Sequence, residues 1–325
     1  MALLAVLPLA LATGLLGFAV GRGWVRVVLI SHGVAGLALV ALSPWKSAIL
    51  RRGLARRRSG RWPGVAFGVL IMICVVSGFL HSTGLAVVLG PLTSIQVHVG
   101  SALLAAPLAV WHVASRRVRI HRTDLDRRNL LRAATLIGAS AAAYAATESA
   151  LRWSGGLGGR RRFTGSYPVG DGDVPVTQWL TDGVPIIRPQ EWSLVVRTLA
   201  GERTYGYEDL ATTHDRLTAT LDCTGGWFTE QEWEGLTVDR LLPHGTAARS
   251  IEVVSATGYA RRFPVSDASH LLLAVRMRGR PLTRGHGFPV RLVAPGRRGF
   301  WWVKWVSRIE LSSAPWWWQP PFPLQ

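Results

Sequence analysis

The chain is poor in cysteine and poor in acid. Two cysteines in 325 residues, Cys74 and Cys223, exclude a disulfide framework. Cys74 lies in an apolar stretch and Cys223 in the second half, so a single bridge between them is not expected either. No CxxC or Cys/His cluster is present, which argues against a zinc site built only of protein ligands. The shortage of acid is local. Residues 1–162 hold 20 Lys and Arg against 3 Asp and Glu, a charge of +17, whereas residues 163–325 hold 17 against 16, a charge of +1. No repeat of 20–50 residues is present.

Hydrophobic residues make up 49% of the chain, and 15 are Trp. Five stretches are long and apolar enough for a bilayer crossing, which takes about 20 residues: 2–20, 24–42, 65–89, 92–114 and 130–146. The fifth is short and Ala-rich. Basic clusters separate them. Lys46, Arg51, Arg52, Arg56, Arg57, Arg58 and Arg61 follow the second stretch. Arg116, Arg117, Arg119, Arg122, Arg127 and Arg128 precede the fifth. The other linkers carry only Arg22 and Arg26, or no charge around Gly90 and Pro91. Excess cations between apolar stretches mark cytoplasmic loops. No interleaving of basic and aromatic residues accompanies them, so a nucleic-acid partner is not expected. The positive-inside rule then predicts a multi-pass protein of the cytoplasmic membrane. Its N-terminus is cytoplasmic and the chain leaves the fifth helix on the outer face. The first stretch has no basic leader and no clear cleavage site, so a cleaved signal peptide is not expected.

Asp126-Arg127-Arg128-Asn129-Leu130-Leu131-Arg132 resembles a twin-arginine translocation signal. The other reading is two more arginines on the inner side. A domain loaded with a large cofactor in the cytoplasm must cross folded, which gives the first reading a mechanism.

Ionisable residues at membrane depth default to functional hypotheses. His32, His81, His98 and His112 qualify. His98 and His112 lie fourteen residues apart on one predicted helix, about 21 Å and close to four turns, so they share a face. This spacing resembles that of membrane cytochromes b with two stacked haems. On the second stretch, however, the residue fourteen beyond His32 is Lys46, so a complete inner site is not visible. The reading is one b-type haem, with His98 facing His32 or His81. Gly33, Gly36 and Gly100 lie beside these histidines. The other reading is histidines hydrogen-bonded between helices.

From Arg162 the pattern turns to short β-rich runs: 192–199, 217–223, 251–254, 271–277, 290–293 and 303–310, separated by Gly, Pro and Asp. The expected organisation is a helical membrane domain over 1–150, a linker over 151–162, an α+β, strand-rich domain over 163–312, and a Trp/Pro tail over 313–325. In Leu221-Asp222-Cys223-Thr224-Gly225-Gly226-Trp227, a cysteine ends a predicted strand. Its thiolate is a soft ligand suited to a transition metal, and the glycines let backbone approach a ligand. The other reading is an inert core thiol. Arg284-Gly285-His286-Gly287-Phe288-Pro289-Val290-Arg291 continues to Pro295-Gly296 and then Val303-Lys304-Trp305-Val306. Such a loop can hold an anion by side-chain charge and exposed N–H groups. The other reading is a basic surface loop.

These two motifs resemble the molybdopterin-binding domain of the sulfite oxidase family. The second is close to that family's His-Gly-x-Pro-x-Arg-x-Val-x-Pro-Gly followed by Val-Lys-Trp. The resemblance covers residues 162–312. It implies a molybdenum-molybdopterin cofactor with Cys223 as the single protein ligand of the metal. It also implies His286 and Arg291 at the cofactor's phosphate and Lys304 at the cofactor; Thr224, beside the cysteine, is a further cofactor-binding candidate. There are departures. The Asn and paired Arg that follow the cysteine in sulfite-oxidising members are replaced here by Thr224, Gly225, Gly226 and Trp227. Arg261, Arg262, Arg297 and Arg298 are the remaining candidates for charge at a substrate. The arrangement resembles a bacterial pair in which an exported molybdoenzyme reducing oxidised methionine works with a haem-bearing membrane protein.

The expected function is a membrane-anchored oxidoreductase performing two-electron or oxygen-atom transfer on an oxyanion or sulfoxide. Its expected partners are membrane lipid and the quinone/quinol pool or another membrane electron carrier. Two alternatives remain: sulfite oxidation, and a non-catalytic membrane-tethered binding module that keeps the fold. Ala314-Pro315-Trp316-Trp317-Trp318 at the tail suits a membrane–water interface, or packing on its own domain.

Overall fold

The computed structural model describes residues 2–55, 62–116, 126–170, 172, 174–178, 183–198, 200–243 and 245–322, with backbone alone for 45–55 and 116. Arg56, Arg57, Arg58, Arg61, Arg117, Arg119 and Arg122 of the basic loops lie outside the described residues, and Lys46, Arg51, Arg52 and Arg116 are placed only as backbone. The chain divides into two compact units, residues 1–167 and 168–325. The first unit thus takes in the expected linker, which folds as the end of a helix and a 3-10 turn over Leu157–Arg160.

Five helices build the first unit: α1 (Ala2–Ala19), α2 (Val25–Ala55), α3 (Trp62–Thr83), α4 (Ser94–Arg116) and α5 (Arg127–Trp153). All five are long and apolar enough to cross a membrane. Large apolar side chains such as Val27, Met72, Phe79, Leu104 and Val110 face outward, as lipid-facing residues do and as water-facing ones rarely do in such numbers. Helix α1 packs on α2, α3 on α4, and α2 on α5.

Three helices depart from the sequence reading. The second continues past residue 42 to Ala55. The third ends at Thr83 rather than near residue 89. Gly84 takes φ +73°, the left-handed conformation that closes a helix, and a two-strand hairpin (Val88–Leu89 with Leu92–Thr93) turns at Gly90, φ +63°. The fifth is longer than expected, with 27 residues. Its alanines carry the highest helix propensity, and nothing breaks it before Gly155.

The second unit is strand-rich, with one five-residue α-helix, Tyr207–Ala211. In one sheet the long strand Trp227–Thr237 is central. It runs antiparallel to Asp215–Asp222 on one side and to Leu272–Met277 on the other. Leu272–Met277 also pairs with Arg280–Pro281 and Arg291–Val293. Gly235 sits where Leu273 crosses, and a Cβ there would meet the Leu273 carbonyl oxygen at 1.9 Å. The other sheet runs Gly201–Gly206, Ser193–Thr198, Val306–Ser312, Ser250–Ser255, Ala260–Pro264. Among the described residues its one parallel pairing joins Val306–Ser312 to Ser193–Thr198. The core holds Trp233, Trp302, Phe263, Leu194, Ile251, Leu273, Leu292 and Ile309. Trp233 meets Trp302 edge-on at 5.5 Å. Each such aromatic buries about 150–250 Å², on the order of 4–6 kcal/mol of gross apolar transfer.

The sequence reading finds six of these strands to within a few residues. It misses Trp227–Thr237, whose run Thr229-Glu230-Gln231-Glu232 is polar on both faces and so lacks the apolar alternation of a strand, and also Gly201–Gly206 and Ala260–Pro264.

Candidate functional site

Cys223 is the residue directly after the strand Asp215–Asp222, at the mouth of a tight turn. Its N–H donates to Trp227 O (2.8 Å), Gly226 N–H donates to Cys223 O (3.1 Å), and Gly225 N–H points at Sγ (3.3 Å). The thiol is buried at 6% exposure, and Thr224 beside it is half-buried.

The second stretch closes on the same place. A 3-10 turn, Arg284–His286, leads to Gly287 at φ +106°. A Cβ on Gly287 would press on Arg291 Cβ (3.1 Å) and Lys304 Cα (3.3 Å), so only glycine lets the loop lie this close to the lysine. Trp305 is left-handed without being glycine, φ +53°, a conformation that costs about 1–3 kcal/mol. It is pinned by its indole N–H to Arg284 O (2.8 Å) and by Ala256 N–H to its own carbonyl (2.7 Å).

Arg291 is buried at 3% exposure, with its guanidinium over the rings of Trp233 (5.5 Å) and Trp302 (5.7 Å). Nη1 donates to His286 O at 3.3 Å, while Nε is buried without a partner. Burial pulls this guanidinium down to about 10, against the opposing effect of the Cys223 charge. Lys304 Nζ donates to Thr177 O (2.8 Å) and Gly285 O (2.7 Å). Burial, and then the Arg291 cation, push it down to about 7, again opposed by Cys223. Cys223 thus lies within electrostatic reach of both cations. Among the described residues no carboxylate pairs with Arg291 or Lys304. Two buried cations without a counter-charge are costly, and a bound anion offsets that cost.

His286 joins the cluster differently from expectation. Its Nε2–H donates to Val174 O (2.9 Å), since a carbonyl can only accept, and its Nδ1 therefore accepts from the Thr283 hydroxyl (2.7 Å). Burial, with Arg291 and Lys304 beside it, keeps the imidazole below its ordinary value. Both ring nitrogens are engaged, and the residue's carbonyl positions Arg291.

Two contributors escaped the sequence reading. The segment 174–178 carries no motif, yet Val174 O receives His286, Thr177 O receives Lys304, and Thr177 Oγ1 receives the Trp227 indole (3.0 Å). Arg298 was a candidate for substrate charge. It is instead buried against Asp222, Nη1 to Oδ1 2.5 Å, and its Nη2 donates to Cys223 O at 3.3 Å. Arg297 pairs with Asp267, Arg262 with Glu252, and Arg261 packs among Tyr259, Phe300 and Trp301. All four arginines serve the domain itself.

In the first unit, His32 (α2) and His98 (α4) meet edge-on, ring centroids 5.8 Å apart at 85°. His32 Nδ1–H donates to Ala10 O and His98 Nδ1–H to Cys74 O, both at 2.8 Å. Neither Nε2 has a hydrogen-bond partner among the described residues. His81 is elsewhere occupied: Nε2–H donates to Gly165 O (2.8 Å), and the Tyr167 hydroxyl donates to its carbonyl. His112 stacks on Phe67 at 5.8 Å. Among the described residues no three His, Cys, Asp or Glu side chains gather as a metal site.

The family model described as "Oxidoreductase molybdopterin binding domain" matches residues 181–318. Mitochondrial sulfite oxidase of Rattus norvegicus is 43% identical over 63 residues, 18% of this chain and 12% of that protein. Mitochondrial sulfite oxidase of Drosophila melanogaster is 26% identical over 164 residues, 40% and 29% of the two chains. Inducible nitrate reductase [NADH] 1 of Glycine max is 27% identical over 207 residues, 47% and 23%. The chain spans less than a third of the length of these relatives. The sulfane dehydrogenase SoxCD from Paracoccus pantotrophus overlays with a TM-score of 0.38 at 25% identity, over 41% of each chain. The matched region contains Cys223, His286, Arg291 and Lys304 together. Residues 181–318 are an oxidoreductase domain of the molybdopterin-binding, sulfite oxidase type, joined in this chain to five helices apolar enough to cross a membrane.

Proposed function

We propose that this chain is a membrane-anchored molybdenum-cofactor oxidoreductase acting on the outer face of the cytoplasmic membrane. The single observation that carries the reading is the convergence of Cys223, Arg291 and Lys304, from separate stretches of chain, on one buried site whose two cations pair with no carboxylate among the described residues. Those residues fit the cofactor. Molybdenum held by a pterin dithiolene supplies two-electron and oxygen-atom transfer, together with one-electron exchange. Cys223 would be the one protein sulfur on the metal. Arg291, with its unpartnered Nε, and Lys304 would hold the anionic end of the cofactor. His286 fixes Arg291 through its carbonyl, and its ring reaches a phosphate only by exchanging Val174 O for a phosphate oxygen. Thr224 would line the cofactor from the cysteine turn.

The substrate class we assign is a small or protein-bound oxyanion or sulfoxide. The relatives are named for sulfite and for nitrate, both oxyanions. Sulfite itself is the second reading, favoured by the relatives named sulfite oxidase. Against it stands the commitment of Arg261, Arg262, Arg297 and Arg298 to the domain's own structure.

Electrons would pass between the quinone pool and the outer face through one b-type haem. His32 and His98 would hold it. Each donates Nδ1–H to a backbone carbonyl, the arrangement that orients a metal-binding imidazole and leaves Nε2 free. The twin-arginine run that opens α5 would export the folded, loaded domain.

The test is elemental analysis for Mo and Fe, with an optical spectrum, on native protein and on Cys223→Ala. About one Mo per chain, with a molybdenum EPR signal altered by the substitution, is expected. Native protein matured in a cofactor-competent host that held no Mo would overturn the enzyme reading and leave a tethered binding module.

A further inference from the structure

The tail after Val306–Ser312 is built rather than loose. Ser250 Oγ donates to Ala314 O (2.7 Å) and Arg249 N–H to Ser312 O (2.9 Å). Gln319 clasps Arg262 in both directions, accepting from its N–H (3.0 Å) and donating to its carbonyl (2.9 Å). Arg262 Nη1 donates to Trp318 O and Arg261 Nη1 to Pro320 O. Trp316 turns inward onto the core, with Arg297 over its ring at 5.2 Å.

This scaffold holds two indoles outward. Trp317 and Trp318 are 60% and 69% exposed, their rings edge-on at 6.0 Å. With Gln319 and Pro320 they line an open depression of about 530 Å³, and none of these residues belongs to the Cys223 site. Arg249, at the root of the tail, is exposed as well.

An indole pairs a large apolar face with one N–H donor. It therefore partitions to the layer between acyl chains and headgroups. Here the backbone that carries both rings is already ordered on folding, which lowers the cost of docking. The bilayer is also an unavoidable neighbour. Only residues 154–167, folded as part of the first unit, lie between the end of α5 and the second unit. A surface on a unit joined this directly to apolar helices meets lipid at high effective concentration.

We infer that Trp317 and Trp318 form a docking surface for the interfacial layer of a phospholipid bilayer. The inference requires the five helices to lie in a membrane but not a loaded molybdenum site.

The experiment uses the full chain in phospholipid nanodiscs and compares native protein with Trp317→Phe/Trp318→Phe. The difference between their emission spectra isolates two of the 15 tryptophans. It is measured with doxyl-labelled lipid, then with aqueous acrylamide. The expected result is that this difference emission is lost to the lipid-borne quencher and largely spared by acrylamide. Quenching by acrylamide alone would place the pair in water. Resistance to both would place it against protein, such as a second copy. Either outcome overturns the inference. The emission shared by both proteins, including buried Trp233 and Trp302, reports that the variant is folded.

Discussion

Arg298 holds Asp222 at 2.5 Å, with both side chains about 95% buried, and the same guanidinium reaches the carbonyl of Cys223. Backbone at the two positions also forms a parallel bridge, so the end of the cysteine strand is tied to the segment that follows the anion loop. Gly299 completes the approach, since a Cβ there would stand 3.1 Å from Cys223 Cα. The thiol is thus placed by a buried ion pair one residue away.

Removing Arg298 leaves a buried carboxylate without its cation. Arg298→Ala should destabilise the second unit by about 3–5 kcal/mol, the usual effect of breaking a buried pair. Thermal unfolding followed by near-ultraviolet circular dichroism checks it. A transition at the native temperature would mean that water or another group replaces the arginine at no cost.

Lys304 sets a pH dependence. Its ammonium titrates at about 7 in the folded chain against an ordinary 10.5. Between those values the unfolded state binds more protons, so stability of the anion-free protein rises with pH across this window. Below about 7 the full penalty of the buried cation is present. Lys304→Met should flatten the slope between pH 7 and 10, measured by chemical denaturation at several pH values. An unchanged slope would assign it to another group. Arg291, pulled to about 10, adds its own slope only above that pH.

His32→Ala and His98→Ala should each abolish a reducible b-type absorbance, whereas His81→Ala should retain it. The distinction follows from His81 Nε2–H being committed to Gly165 O. Dithionite-minus-air difference spectra decide it. Retention of the full spectrum in His98→Ala would remove haem from that position.

Gly287→Ala should loosen the anion loop, because φ +106° strains any L side chain and the new methyl meets Arg291 and Lys304. The expected loss is about 1–3 kcal/mol, together with lower molybdenum content at equal expression. Native molybdenum content in this variant would show that the loop tolerates the shift.

Much of this architecture is legible in one dimension. Five apolar stretches, each long enough for a bilayer crossing, become five helices, because an α-helix satisfies its backbone amides internally whatever the neighbours do. Cys223, His286, Arg291 and Lys304 are readable because their motifs are local. The central strand Trp227–Thr237 is not legible because its inward face carries the polar Thr229 and Gln231, which are buried only once neighbouring strands pair with it. Arg298 could not be separated from Arg261, Arg262 and Arg297 by sequence, since four arginines near glycines look alike until each finds its carboxylate or ring.

The sequence by itself therefore determined the division into an apolar cationic half and a strand-rich half, and singled out the candidate thiol and the candidate anion-loop residues. These depend on composition, period and short-range spacing. Only the tertiary structure decided that Arg291 and Lys304 share a buried site with Cys223, and that Val174 and Thr177 close it. It also decided that His98 faces His32 rather than His81, and that Trp316 turns in while Trp317 and Trp318 turn out. Each of those facts is a contact between distant residues or a choice of face, and the order of residues along the chain carries neither until packing and buried charge select one arrangement.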